Sequence, residues 1–437
     1  MPADSRPRRL YLAALTVALA SLIAGCVQNP NSVFHNRTDL NRDVGSLFSL
    51  LIWLGTIVFI FTEVMLIIAM VKYRSRPGKP REPEQVHGNT RLEILWTVIP
   101  AVVLAVIAVP TVQTIFKTQG AARADALQVE VIGHQWWWEF KYPQYGVTTA
   151  NEVYLPLGRT VNFALHTHDV LHSFWIPALG GKRDLVNNRT NHIWFTPDSA
   201  TVDAFNGFCA EFCGVSHANM RFKAYTVTTE QFSSWIAHQQ SPAAFNPAPP
   251  PAPTPSAATK TAGRPAVTPA TASVAQTQPA SPAPPAPPAQ AQATTMQTAF
   301  VSFPREQMPQ HAIPQTPIPA SIAFDPTLKG DPANGFMLVS RGTCIGCHMI
   351  QGVPGMVAQI GPNLTHVGSR NTIGGGLFPN DTRHLGSWIK NSRAMKPGVT
   401  MPTLGKGQYD PVVKQRMSIG LTDQQVADVV AYLQSLK

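Results

Sequence analysis

The sequence predicts a multidomain membrane protein: a two-helix transmembrane hairpin, a small all-β domain, a disordered Pro/Ala-rich linker and a compact C-terminal domain ending in a helix. Three observations predict it. Two long apolar runs near the N-terminus flank a basic stretch, roughly half of the 40 prolines crowd into one segment, and the five cysteines fall into three unlike groups. At 437 residues the chain exceeds one ordinary core. Only 13% of residues are charged, which is low for a soluble protein and suits membrane segments. The net charge of +10 could serve nucleic acid, but the Lys and Arg residues form no stripe interleaved with aromatics, so no nucleic-acid partner is read.

Each element follows from its residues. Arg6, Arg8 and Arg9 precede an apolar stretch at 10–22 and the small-residue run Ile23-Ala24-Gly25-Cys26. Residues 1–25 therefore read as a lipoprotein signal peptide, whose removal leaves Cys26 acylated at the new N-terminus. Residues 40–118 form the hairpin. Its first span, 47–71, crosses a ~30 Å hydrocarbon core at ~1.5 Å per residue. Glu63 interrupts that span and is expected to face a partner subunit, since a carboxylate turned to lipid costs roughly 2.5–3.5 kcal/mol. The second span, 94–116, tolerates Pro100 and Pro110 as kinks. Between the spans Lys72, Arg74, Arg76, Lys79, Arg81 and Arg91 outnumber Glu82, Glu84 and Glu93, which puts the connector in the cytoplasm and everything after Phe116 outside.

In residues 125–240 the texture becomes short β-rich runs, such as 127–132 and 160–165, punctuated by Pro and Gly. That pattern argues a small sandwich or barrel. Residues 241–320 are rich in Pro, Ala, Thr and Gln, cannot bury a core and should form an extended tether. A compact domain returns over 322–437. Thr422 and Gln425 have capping-box spacing there, and Val426, Val429, Val430 and Leu433 form a helical apolar stripe.

Cys209-Ala-Glu-Phe-Cys213-Gly-Val-Ser-His217-Ala-Asn-Met220 sets two thiols, an imidazole and a thioether close together. Soft sulfur with imidazole selects copper over hard cations. One Cys with His and Met would make a mononuclear site, whereas two in one tight loop can each bridge two ions. The second imidazole that a dinuclear site needs is available in Asp169-Val-Leu-His172-Ser-Phe. Structural zinc is the competing reading, and Met220 with the short loop disfavours it.

These motifs, with Glu93-x-x-Trp96-Thr-x-x-Pro100 and Gly133-His-Gln-Trp136-x-Trp138, resemble cytochrome c oxidase subunit II over residues 40–235. The resemblance implies an all-β cupredoxin-like domain holding a CuA centre. Cys209 and Cys213 would bridge both ions, His172 and His217 would each cap one, and Met220 and the Glu211 carbonyl would be weak axial donors. It further implies a Mg ion shared with subunit I through Glu211, electron input at an exposed Trp136 indole, and a proton-channel mouth at Glu93. His134, His166, His168 and His192 lack ligand spacing and read as structural or surface residues. Two stretches depart from the family, His166-Thr-His168-Asp169 and Asn206-Gly207-Phe208, and they bear on the docking surface rather than on the ligands.

Cys344-Ile-Gly-Cys347-His348 is the c-type haem attachment pattern, with His348 as proximal iron ligand. A distal Met raises the potential, and Met349, Met356, Met395, Met401 and Met417 compete for that place. Met349 and Met356 sit too near His348, and Met401 lies on the Pro-stiffened loop Lys396-Pro-Gly-Val-Thr-Met401-Pro402. Resemblance to small class I cytochromes c favours Met401, then Met395, and implies an all-α domain with a helix near Gly335 crossing the last helix at Tyr432.

A haem domain after subunit II resembles the caa-type oxidases. That implies a bacterial inner (plasma) membrane subunit that passes electrons from haem c to CuA and on to the dioxygen-reducing, proton-pumping subunit I. Other oxidase subunits are partners, and a soluble or membrane cytochrome c, or an upstream quinol-oxidising complex, is the donor. The competing readings are the CuA subunit of a nitric oxide reductase and a copper-delivery protein.

Overall fold

The computed structural model describes residues 14, 16, 17, 31–74, 87–198, 202–243 and 299–437. Most of the signal peptide, with Cys26, most of the basic connector and residues 244–298 of the Pro-rich stretch lie outside these. Helices α1 (Asp39–Lys72) and α2 (Thr90–Gln119) are the two expected spans, each long and apolar enough to cross a membrane. Thr38 caps α1 by accepting from the Asn41 N–H, and Asn89 caps α2 by accepting from Arg91 and Leu92. Pro100 and Pro110 lie inside α2.

The N-terminal end of α1 and the C-terminal end of α2 are fastened to the β domain. Asn41 Nδ2 donates to the Pro177 carbonyl at 3.1 Å, and Trp194 Nε1 donates to that of Gly120 at 2.9 Å. Lys117 and Asp43 pair at 2.6 Å, tying the helices together at that same end. The β domain thus stands at one end of a two-pass hairpin, and Lys72 and Thr90, where α1 ends and α2 begins, stand at the other.

The β domain is a sandwich of β1 (Leu127–His134), β2 (Trp137–Tyr142), β3 (Val147–Ala150), β4 (Glu152–Pro156), β5 (Val161–Thr167), β6 (His172–Trp175), β7 (Arg183–Leu185), β8 (Asn191–Phe195), β9 (Asp203–Cys209) and β10 (Arg221–Val227). One sheet runs β3-β2-β1-β5-β8 and the other β4-β10-β9-β6-β7. Pairs β1/β5 and β4/β10 are parallel, so the chain crosses between the sheets before each pair is completed. Alternate residues of β1 and β5 turn inward, so Phe163 and Val129 meet Phe174 and Phe222 in the core, the latter two rings stacked at 5.1 Å. Gly207 explains one departure from the family pattern: a Cβ there would come within 2.1 Å of the Phe222 ring. Helix α3 (Thr229–Gln240) closes the domain with a Thr228/Gln231 capping box and stacks Trp235 on Tyr154 at 4.4 Å.

The end of the Pro-rich stretch is not free chain. Phe303, Met308 and Ala312 are buried in the sandwich core, with Phe303 stacked on Tyr225 at 4.9 Å. Composition hid this strap, because a few apolar residues spaced among prolines suffice to anchor an extended segment.

The C-terminal domain is built on α4 (Pro332–Arg341), α5 (Thr382–Met395) and α6 (Asp423–Ser435). Two small hairpins join them, β11 (Thr372–Ile373) with β12 (Phe378–Pro379) and β13 (Tyr409–Asp410) with β14 (Gln415–Arg416). The expected crossing is present. Gly335 lets α4 lie on α6, since a Cβ there would stand 2.0 Å from the Asp428 carbonyl oxygen and 2.8 Å from Tyr432 Cβ. Phe336 meets Tyr432 edge-on at 5.6 Å, and the Val426, Val429, Val430 and Leu433 stripe is buried.

Candidate copper and haem centres

Strand β9 ends at Cys209, and the loop behind it returns through Cys213 and His217 to Met220 at the start of β10. Strand β6 begins at His172 and pairs Phe174 with Cys209, which brings the remote imidazole to the loop. Cys209 Sγ lies 3.7 Å from Cys213 Sγ, 3.8 Å from His172 Nδ1 and 3.2 Å from the Glu211 carbonyl. Cys213 Sγ lies 3.7 Å from His217 Nδ1 and 3.9 Å from Met220 Sδ. The structure therefore brings together every sequence-selected copper donor.

The distances test what the donors fit. Two atoms bound to one tetrahedral ion at ~2.3 and ~2.0 Å stand roughly 3.5 Å apart, which each Cys–His pair approaches. A single Cys2His2 zinc needs all four donors mutually close. Here His172, Cys209 and Cys213 lie within 4.8 Å of one another, and His217 is not part of that set. Each thiol has its own imidazole and the two thiols lie side by side, an arrangement suited to a pair of ions. Among the described residues no cysteine is in a disulfide.

Electrostatics favours metal binding. Contact with Cys213, aided by His172, drives the Cys209 thiol far below its ordinary pKa, while the same contact and burial raise Cys213. A single proton held between two thiols is readily displaced by metal. Burial disfavours charge on His172, yet hydrogen bonds to Asp169 and Cys209 outweigh it and raise its pKa. Asp169 Oδ1 accepts from His172 Nε2 at 2.8 Å, turning Nδ1 toward the thiols, and Asp169 Oδ2 accepts from the Gln135 N–H at 2.7 Å. Asp169 was read only as part of a motif; its place three residues before His172 was the available signal. Asp169→Asn is expected to keep the copper stoichiometry but weaken retention against a chelator by about tenfold or more, read as loss of the copper resonance signal during titration. Gly133 makes room for the ligand ring, since a Cβ there would stand 2.7 Å from His172 Cδ2.

In the C-terminal domain Cys344 lies in the 3₁₀ turn Thr343–Gly346 and Cys347 caps its end, and the His348 N–H donates to the Cys344 carbonyl at 3.0 Å. His348 Nδ1 donates to the Pro362 carbonyl at 2.8 Å, which leaves Nε2 for iron. Gly361 flanks the ring, where a Cβ would fall 2.6 Å from His348 Cε1. Met356 and Met395 are committed to the apolar core, and Met417 lies just beyond β14. Met401 is half-buried on the loop after α5, its carbonyl accepting from Ser392 Oγ.

Trp136 differs from expectation: it is only 9% exposed. Its Nε1 donates to the Cys213 carbonyl at 2.9 Å, and Gly398 of the haem domain covers its ring so closely that a Cβ would fall 2.6 Å away. Glu93 stands in the first turn of α2, at the end remote from the sandwich. Glu211 is exposed beside Phe212 and Val215, which are 75% and 76% exposed. His134 is a structural residue, hydrogen-bonded to Glu139 at 3.1 Å and stacked on Trp137.

Comparison with known proteins gives concordant matches. Residues 36–114 match the transmembrane domain of cytochrome c oxidase subunit II, residues 146–227 its periplasmic domain, and residues 332–437 cytochrome c. Cytochrome c oxidase subunit 2 of Alkalihalophilus pseudofirmus is 31% identical over 386 residues, covering 87% of this chain and 83% of that one. The protein of the same name from Bacillus sp. (strain PS3) is 30% identical, covering 84% and 80%. A solved periplasmic domain of subunit II of cytochrome oxidase from Bradyrhizobium japonicum is 27% identical and covers 28% of this chain and 97% of that one, at a TM-score of 0.26.

Proposed function

The chain belongs to the cytochrome c oxidase subunit 2 family and carries a C-terminal cytochrome c domain, and on that premise we propose that it is the two-pass electron-input subunit of a haem–copper oxidase. One observation carries the reading: two thiols 3.7 Å apart, each with its own imidazole. Cys209 and Cys213 would hold a copper pair between them, with His172 and His217 on one ion each, and Met220 and the Glu211 carbonyl as weak donors. Cys344 and Cys347 would hold the haem covalently, with His348 and Met401 on its iron. When bound, the two groups would supply one-electron relay chemistry.

The chain's own residues do the positioning. Asp169 fixes the His172 tautomer, and the Pro362 carbonyl does the same for His348. Trp136, hydrogen-bonded to the Cys213 carbonyl, lies between the copper loop and the haem domain. Exposed Phe212 and Val215 on the copper loop suit an apolar contact with the catalytic subunit, and Glu211 beside them would share Mg across it. Glu93, at the connector end of α2, would gather protons for a pumping partner. Cys26 would carry a lipid anchor in a bacterial inner membrane, and a cytochrome or a quinol-oxidising complex would supply electrons. The nitric oxide reductase reading gains no support from the relatives.

The purified complex is expected to show low-spin haem c absorption, a mixed-valence copper-pair resonance signal and dioxygen consumption. One zinc or one copper per chain would end this reading.

A further inference from the structure

The sandwich and the haem domain meet around Trp136, at points far apart in sequence. Lys396, 1% exposed, donates from Nζ to the Trp136 carbonyl at 2.5 Å and to the Gly374 carbonyl at 3.1 Å. Ser216 Oγ donates to the Pro397 carbonyl at 2.5 Å, and the Arg221 N–H to that of Gly375 at 3.1 Å. On the far side, the buried Glu152 carboxylate accepts from the Asn371 and Thr372 N–H groups, both at 2.8 Å. Arg305 of the strap donates to Asn371 Oδ1 at 3.2 Å.

A buried cation and a buried carboxylate are costly to place and are tolerated only where their hydrogen-bonding partners are fixed. Glu152 accepts from N–H groups of the other domain, and Lys396 would lose one of its two acceptors if the domains parted. Gly398 adds a steric requirement: with φ +88° and no Cβ it lies flat on the indole, which a side chain would push away. A loosely tethered domain needs neither feature.

We propose that Lys396 is a positioning residue that locks the 396–401 loop of the haem domain onto Trp136, and so holds that domain in register with the copper loop for electron transfer. The proposal rests on the electron-input reading above and adds to it. For each electron leaving the haem iron, which goes from ferrous to ferric, one electron reduces the copper pair; no bond breaks.

The test uses the purified complex carrying Lys396→Met, which keeps the side-chain length and removes the donors, or Lys396→Arg, which keeps the donors. Haem c is photoreduced by flash and the appearance of reduced copper is timed, while hydrogen exchange is followed in peptides covering 135–138 and 371–376. With Lys396→Met the transfer rate is expected to fall about tenfold or more, and exchange to rise in both peptides, with haem and copper spectra unchanged. Lys396→Arg is expected to restore most of both. Gly398→Leu, which leaves Lys396 intact, is expected to slow transfer alike. An unchanged rate in Lys396→Met and Gly398→Leu, with or without faster exchange, overturns the proposal. Absence of the haem c or copper-pair signal in the unsubstituted complex would instead overturn the electron-input reading.

Discussion

Cys213→Ser is expected to abolish the paired-copper signal and, with it, dioxygen consumption. Cys213 touches four of the groups that define the site: Cys209 Sγ at 3.7 Å, His217 Nδ1 at 3.7 Å, Met220 Sδ at 3.9 Å and, through its carbonyl, Trp136 Nε1 at 2.9 Å. A hydroxyl is a hard donor with a shorter reach and does not replace a bridging thiolate. Metal analysis should fall from two coppers per chain to one or none, and resonance spectroscopy should lose the mixed-valence pattern. Haem c absorption should persist, because the haem site shares no ligand with the copper loop. Retention of two coppers with the original spectrum would remove Cys213 from the site.

The copper donors were legible because four donor side chains, those of Cys209, Cys213, His217 and Met220, fall in one short loop, where spacing alone fixes their proximity. His172 lies outside that loop and was reached through the second imidazole that a dinuclear site needs, and the pairing of Phe174 with Cys209 is its structural cause. The hairpin was legible from apolar length and the charge of the connector. The α4–α6 crossing was anticipated at Gly335 and Tyr432, and backbone approach explains the glycine. What stayed hidden depends on distant contacts. Lys396 reads as an ordinary surface lysine, since its acceptor Trp136 is 260 positions away. Trp136 was expected to be exposed and is covered, because no local pattern announces Gly398. Likewise Phe303 was lost in a proline-rich background.

Gly335→Val is expected to unfold or severely loosen the haem domain. The first added carbon would stand 2.0 Å from the Asp428 carbonyl oxygen, a backbone atom that cannot swing aside, and 2.8 Å from Tyr432. Forcing α4 and α6 apart also disturbs Asn334 Nδ2, which donates to Asp428 Oδ2 at 2.6 Å, and the Phe336–Tyr432 contact. Overpacking of this kind costs about 3 kcal/mol, enough to lower the melting transition of the domain by roughly 10 °C or more. Haem absorbance during a thermal ramp measures it. A transition within a degree or two of the unsubstituted protein would show that the helices can separate at no cost.

Phe303 also bears on biogenesis. A ribosome that has completed residue 245 has made every copper donor, yet Tyr225 still lacks its covering ring, because Phe303, Met308 and Ala312 are encoded near the end of the Pro-rich stretch. Burying a side chain such as Phe303 contributes about 1.5–3 kcal/mol. The periplasmic sandwich therefore reaches full stability only after translocation has carried the chain past the linker. A truncated product ending within the linker would expose an aromatic face and be open to proteolysis.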